Sequence, residues 1–342
     1  MLCVLTDAVL FTQIVGWMRG IPFLLLDLAK TLPPDSWSSL HGDRALVART
    51  AIQRDDRRVL HLLFEVRASV ADENHSINTL DVDNVFFWAV KVGQVETLAW
   101  LSAAFSHCLD ANVKLLDVAI IRGDVEILEL VHNRFHDQFD RAEVSSCALS
   151  LAPKAQQLAV AKWLHRHEYA ACFSSYVVER VIEGGNVELL QFLHEHCPRN
   201  FPSHAMHLAA LVGNFGAVQI LNARPYPHTT RAMDAAAQNG HFEVVRFLHE
   251  TRREACTVFA MDRAACNGFL DVVQFLHENR TEGCTKDALN GAARYGYLDV
   301  AKFLVENRRE GVLDEALQRA ESQGHVQVAA YLRETIEANQ QL

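Results

Sequence analysis

At 342 residues the chain is longer than one hydrophobic core usually organises, which leaves two domains or one repetitive array. Half of it is hydrophobic and 22% is charged, a balance that excludes intrinsic disorder over most of its length. The net charge of −10, with no long basic run, excludes nonspecific nucleic-acid binding, which needs concentrated Lys and Arg to displace counterions.

Residues 1–40 form an apolar segment, with Val9, Leu10, Phe11, Ile14, Val15, Trp17 and Met18 followed by Phe23 to Leu26. Asp7, Arg19 and Asp27 interrupt it and Gly20 and Pro22 break it, so it lacks the run of about 20 apolar residues that a membrane span requires. No Lys or Arg precedes Arg19, and the positively charged start of a signal peptide is therefore missing. Two short helices packed on the rest of the chain are expected here.

From 41 to 336 the chain repeats itself in about ten units. A weak first copy, Ala45 to Phe64, carries Asp55 where later copies carry glycine. Gly93, Gly123, Gly185 and Gly213 mark further copies, and Leu158 to His165 fits the second half of a copy whose glycine has become Gln156. Pro153 interrupts the first half of that copy, which predicts a distorted unit at 147–156. The last third aligns without gaps: Gly240, Gly268, Gly296 and Gly324 recur every 28 residues. Residues 337–342 form a polar tail.

Each unit predicts a helix, a glycine turn and a second helix. Ala with Met or Leu recurs at helical spacing in the first helix, glycine supplies a left-handed helix end, and Val244, Phe247 and Leu248 mark an apolar stripe in the second. A single hairpin cannot bury both faces, so stacking in series is what makes such units stable. Thr257 and Thr285 stand where first helices begin and are expected to cap them.

These residues resemble the ankyrin repeat. Ser203 to Asn214 is similar to that family's T-P-L-H-x-A-A-x-x-G-H/N opening, and Ala236 to Val245 to its A-A-x-x-G-H-x-x-V-V. The resemblance implies an all-α, ankyrin-like solenoid of stacked helix-turn-helix repeats. Two features depart from the family. Asp234, Asp262 and Asn290 occupy the place of the motif's His, and the unit is about five residues shorter than the usual 33, which reduces the β-hairpin to a turn such as Glu282-Gly283-Cys284.

The resemblance further implies a non-catalytic scaffold that holds a protein or peptide on its inner helix face. On the repeat register that face carries Arg263, Cys266, Asn267, Arg294, Tyr295, Arg319, Ser322 and Gln323 in the last units. Earlier it carries Trp88, Ile121, Arg122 and Leu211, a more apolar strip that either receives a partner or is covered by the N-terminal segment. An alternative is a substrate-recognition adaptor for protein turnover, recruited through that segment.

His132, His165, His194, His249 and His277 each fall nine places after the glycine position, near the end of the second helix, where a helix-dipole or carbonyl-capping role is expected rather than metal binding. The eight cysteines form no C-x-x-C pair and are expected as small buried thiols in a reduced, cytoplasmic compartment. No phosphate loop or nucleophile elbow occurs, so neither an enzyme, a cofactor nor a metal is expected. A monomer is the expected state.

Overall fold

A computed structural model describes residues 46–58, 60–61, 85–104, 114–135, 144–145, 148–169, 172–223, 231–252 and 256–340. The expectations for residues 1–40 and for Cys3, Cys108 and Cys147 lie outside these residues. The described part is all-helical, without strands, and divides into two compact units between Cys172 and Phe173.

The first unit contains α1 (Leu46–Gln53), α2 (Val85–Val92), α3 (Val95–Ala104), α4 (Lys114–Arg122), α5 (Val125–Phe135), α6 (Ala148–Leu151) and α7 (Gln157–Arg166). Helices α1, α2, α4 and α6 pack in file, and α3, α5 and α7 form a second file beside them. The core between the files holds Ala89, Val90, Leu98, Leu116, Ile120, Leu128 and Leu164, all inaccessible to solvent. Asp55 takes the left-handed conformation (φ 54°) at the place where later units have glycine. The distorted unit is real: α6 stops at Leu151, ahead of Pro153, and the Gln157 side-chain amide donates to the Ala152 carbonyl freed there (3.0 Å).

The second unit contains α8 (Ser175–Gly184), α9 (Val187–His196), a 3₁₀ turn (Pro198–Asn200), α10 (Ala205–Leu211), α11 (Phe215–Asn222), α12 (Arg231–Gln238) and α13 (Phe242–Arg252). It continues with α14 (Val258–Cys266), α15 (Leu270–Asn279), α16 (Lys286–Tyr295), α17 (Leu298–Asn307), α18 (Leu313–Ser322) and α19 (Val326–Gln340). Even-numbered helices from α8 to α18 pack each on the next, and odd-numbered ones from α9 to α19 do the same. The first file is built on small side chains. Ala236, Ala264, Ala265, Ala292 and Ala293 are fully buried, and side chains this small let neighbouring helices approach closely. Residues 337–340, expected as tail, belong to α19 and are exposed.

In the second file the stripe lies where periodicity placed it, except that Val245 and not Phe247 completes it. Val244, Val245 and Leu248 are buried, whereas Phe247 is half-buried and turns sideways to meet Phe215 edge to face, with ring centroids 5.4 Å apart. Phe242 meets Phe275 in the same way at 5.6 Å. These aromatics join adjacent hairpins rather than filling the hairpin's own interior.

Of the histidines nine places after the glycine, His249 and His277 pack on the following hairpin rather than cap their helices. The rings of His249 and His277 lie edge-on to Phe275 and Phe303 of the following hairpin, with Nδ1 3.5 Å from Arg280 and Arg308 respectively. His194 is buried edge-on to Phe201, and His132 Nδ1 lies 2.9 Å from the Tyr169 hydroxyl.

Capping falls instead to the residue eleven places after the glycine position. The side chains of Thr251, Asn279, Asn307 and Thr335 donate to the carbonyls of Phe247, Phe275, Phe303 and Tyr331, at 2.6 to 2.9 Å. His167 and His196 make the same contact through Nδ1 to Trp163 and Phe192 (2.9 Å each), which fixes the proton on that nitrogen. Each is an i to i−4 bond of a side chain to its own helix, close to the C-terminal end for all but Thr335, which lies in the middle of α19. Asn279→Ala is expected to cost about 0.5–1.5 kcal/mol, read as a lower midpoint in urea denaturation followed by circular dichroism.

Adjacent hairpins are also tied by a buried carboxylate. Asp262 is 3% exposed, and its two oxygens accept from the backbone N–H (2.7 Å) and the hydroxyl (2.8 Å) of Thr285 in the next unit. The same hydroxyl accepts from Asp287 N–H at the first turn of α16, so one side chain caps its own helix and docks it on its neighbour. Asp234 and Thr257 repeat the arrangement 28 residues earlier, at 2.9 and 2.8 Å. In the first unit Asp117 accepts from Ser145 N–H at 2.8 Å. Asp234 and Asp262, one repeat apart, thus supply an inter-hairpin bond of their own. Burial raises the pKa of Asp262 against the lowering effect of the Thr285 bonds.

Candidate partner-binding groove

The first helices of the last three hairpins, α14, α16 and α18, leave one groove of about 380 Å³ open to solvent. Of the residues singled out from the sequence, Arg263, Cys266, Asn267, Arg294, Tyr295 and Arg319 line it together. Helical spacing explains this: each stands on the side of its helix facing away from the second file, whose contacts are made by the buried alanines.

Three guanidinium groups dominate the lining. Arg263, Arg294 and Arg319 are exposed, come from three successive helices, and form no ion pair among the described residues. Arg294 lies over the ring of Tyr295, 5.6 Å from its centroid, and Tyr295 is 53% exposed. The basic residues at the other end of these hairpins are neutralised, by contrast. Arg280 pairs with Glu282 at 2.5 Å and Arg308 with Glu310 at 2.8 Å, and both are mostly buried.

Two carboxylates share the lining. Asp262 has both oxygens committed to Thr285, and Asp287 is exposed at the start of α16. Asn267 is anchored by its side-chain amide, which donates to the Gln238 carbonyl at 2.7 Å. Cys266 is the nucleophilic side chain of this lining, and burial pushes its thiol above the ordinary range, so it is protonated at neutral pH. Cys256 and Cys284, in equivalent buried places beside Arg280 and Arg308, are pushed up to about 11 by burial.

Sequence register missed Phe259, Gln238 and Asp287, which also line the groove. Phe259 is 57% exposed at the first turn of α14, a position read only as helix start. Ser322 and Gln323 do not line the groove: they end α18, where the Ser322 hydroxyl donates to the Arg319 carbonyl at 2.8 Å. Leu211, 37% exposed, ends α10 beside the equally accessible Val212, and its carbonyl accepts from His241 Nε2 at 3.1 Å.

In the first unit Trp88, Ile121 and Arg122 take places of a different character. Trp88 is half-buried beneath two cations, with the Arg49 guanidinium 4.0 Å and the Lys91 ammonium 4.7 Å from its ring centroid. Arg122 donates to the Lys91 carbonyl at 2.9 Å and lies flat against Gly93. Ile121 remains 38% exposed. The apolar strip expected here is therefore covered in part by the stems and heads of basic side chains.

Among the described residues no three His, Cys, Asp or Glu side chains converge as a metal site, and no helix is long and apolar enough to cross a membrane. No protein-family model and no curated protein matches the chain.

Proposed function

We propose that the chain is a non-catalytic binding scaffold, an ankyrin-like stack of helical hairpins that holds a segment of another protein in the groove across α14, α16 and α18. The observation that carries this reading is the row of three unpaired arginines beside exposed Phe259 and Tyr295. Arginine and aromatic side chains are the residue types that most often dominate binding energy in protein interfaces. Leaving three guanidinium groups unpaired on a chain of net charge −10 has no structural benefit, whereas Arg280 and Arg308, packed between the same hairpins, are each matched with a glutamate. Rigid helices hold the side chains, so a ligand meets a largely preformed surface.

The test is selection of peptides from a random phage-displayed library on the immobilised full chain, with counter-selection on a Tyr295→Ala, Arg294→Glu variant of unchanged circular dichroism. Peptides that bind the wild-type chain and lose at least about tenfold on the variant are expected. A library that yields no clone able to distinguish the two proteins would overturn the reading.

A further inference from the structure

Resting on the groove reading above, we infer that the occupant is an extended acidic peptide whose carboxylates recur at every third residue. The three arginines each come from a different helix of one file, in the order α14, α16, α18. Adjacent helices in such a file stand about 8–10 Å apart, and Arg294 stands three residues, about 4.5 Å, further along its helix than Arg263 and Arg319 do along theirs, so successive arginine positions are about 9–11 Å apart along a zigzag. An extended chain advances about 3.3 Å per residue, and three residues therefore cover one interval. Carboxylates at positions i, i+3 and i+6 meet Arg263, Arg294 and Arg319 in turn, each through the paired N–H groups that match carboxylate geometry.

The spacing also decides between two kinds of anion. A phosphoryl group concentrates its charge at one point and can reach one of the three arginines at a time, while Asp287 and the buried Asp262 repel a concentrated dianion more strongly than separated single charges. Separate carboxylates match three separate cations and leave the intervening residues free. In the same lining, Phe259 and Tyr295 offer exposed rings at 57% and 53% to apolar side chains of the same peptide. Specificity then comes from charge spacing, with the rings adding contact area.

The experiment uses the full chain and fluorescein-labelled peptides of about twelve residues, read by fluorescence anisotropy at low and at physiological salt. One peptide carries Glu at every third position among Ser and Ala, a second holds the same residues with its glutamates consecutive, a third replaces Glu by Lys, and a fourth carries a single central phosphoserine. The spaced peptide is expected to bind at least about tenfold more tightly than the other three and to weaken as salt rises. Arg294→Glu is expected to weaken it by about tenfold or more, and reversal of all three arginines to abolish it. Equal or tighter binding of the consecutive, the lysine or the phosphoserine peptide overturns the inference, as does a spaced peptide indifferent to Arg294→Glu. Should the library yield groove-dependent peptides that are not acidic, the inference fails while the scaffold reading stands; a library with no groove-dependent peptide removes the scaffold reading itself.

Discussion

Asp262→Ala is expected to destabilise the chain by about 2–4 kcal/mol, whereas Asp262→Asn costs less than about 1.5 kcal/mol. The alanine leaves the Thr285 N–H and hydroxyl without their acceptor at a buried junction, and each orphaned group costs about 1–3 kcal/mol. Asparagine keeps one acceptor oxygen and removes a charge that burial penalises. Asn290 occupies the equivalent place one unit on, where it donates to Glu315 at 3.2 Å and no threonine follows to be held. The comparison is made by urea denaturation followed by circular dichroism, with hydrogen exchange across 258–295 locating the loss at the junction. Equal effects of the two substitutions would remove the buried carboxylate from the account of inter-hairpin cohesion.

The pH dependence of this site has the opposite sign to that of most carboxylates. Its folded pKa is raised above the ordinary value of 3.8, so the folded chain holds this proton more tightly than the unfolded chain does. The contribution is fully present below 3.8 and is lost as pH rises through the elevated folded value. Wild-type stability measured relative to Asp262→Asn therefore declines as pH is raised from acid toward neutrality.

Gly268→Ala is expected to cost about 2–4 kcal/mol, clearly more than the same change at Gly324. Both residues are left-handed, with φ of +81° and +75°, so each alanine carries the conformational penalty of about 1–2 kcal/mol. The difference lies in what stands above them. A Cβ at 268 would fall 2.5 Å from the ring of Tyr297, while one at 324 meets nothing within 4 Å. Displacing a packed ring adds about 1–3 kcal/mol. Comparable thermal melts for the two variants would show that backbone conformation, and not the ring seated on the turn, fixes the identity of this residue.

The period, the helix pairs and most of the groove could be read from residues alone, because glycine spacing sets the register and register sets which side chains share a face. Arg263, Arg294, Arg319, Cys266, Asn267 and Tyr295 share a face on that register and line one groove in the structure. Interactions between units were much harder to see. The Asp262–Thr285 bond joins residues 23 positions apart whose proximity depends on how hairpins dock, and the sequence suggested only that a familiar histidine was missing. The carbonyl caps were hidden by chemistry: His, Thr and Asn share one place and one bond, so no residue type repeats to betray them. The histidines that do repeat were assigned a dipole or capping role by their position alone, although the rings of His249 and His277 pack against aromatics of the following hairpin. Trp88 and Arg122 looked like open surface because sequence register identifies a face but cannot show that Arg49 lies on the indole.

The tie between hairpins makes whole segments interchangeable. Excise 257–284 and Asp234 finds Thr285 where Thr257 had been, Gly240 lies under Tyr297 in place of Phe269, and His249 meets Phe303 and Arg308 as it formerly met Phe275 and Arg280. The severed ends are thus already compatible, which lets gene duplication or unequal recombination change the reach of the molecule in single steps without inventing a new joint.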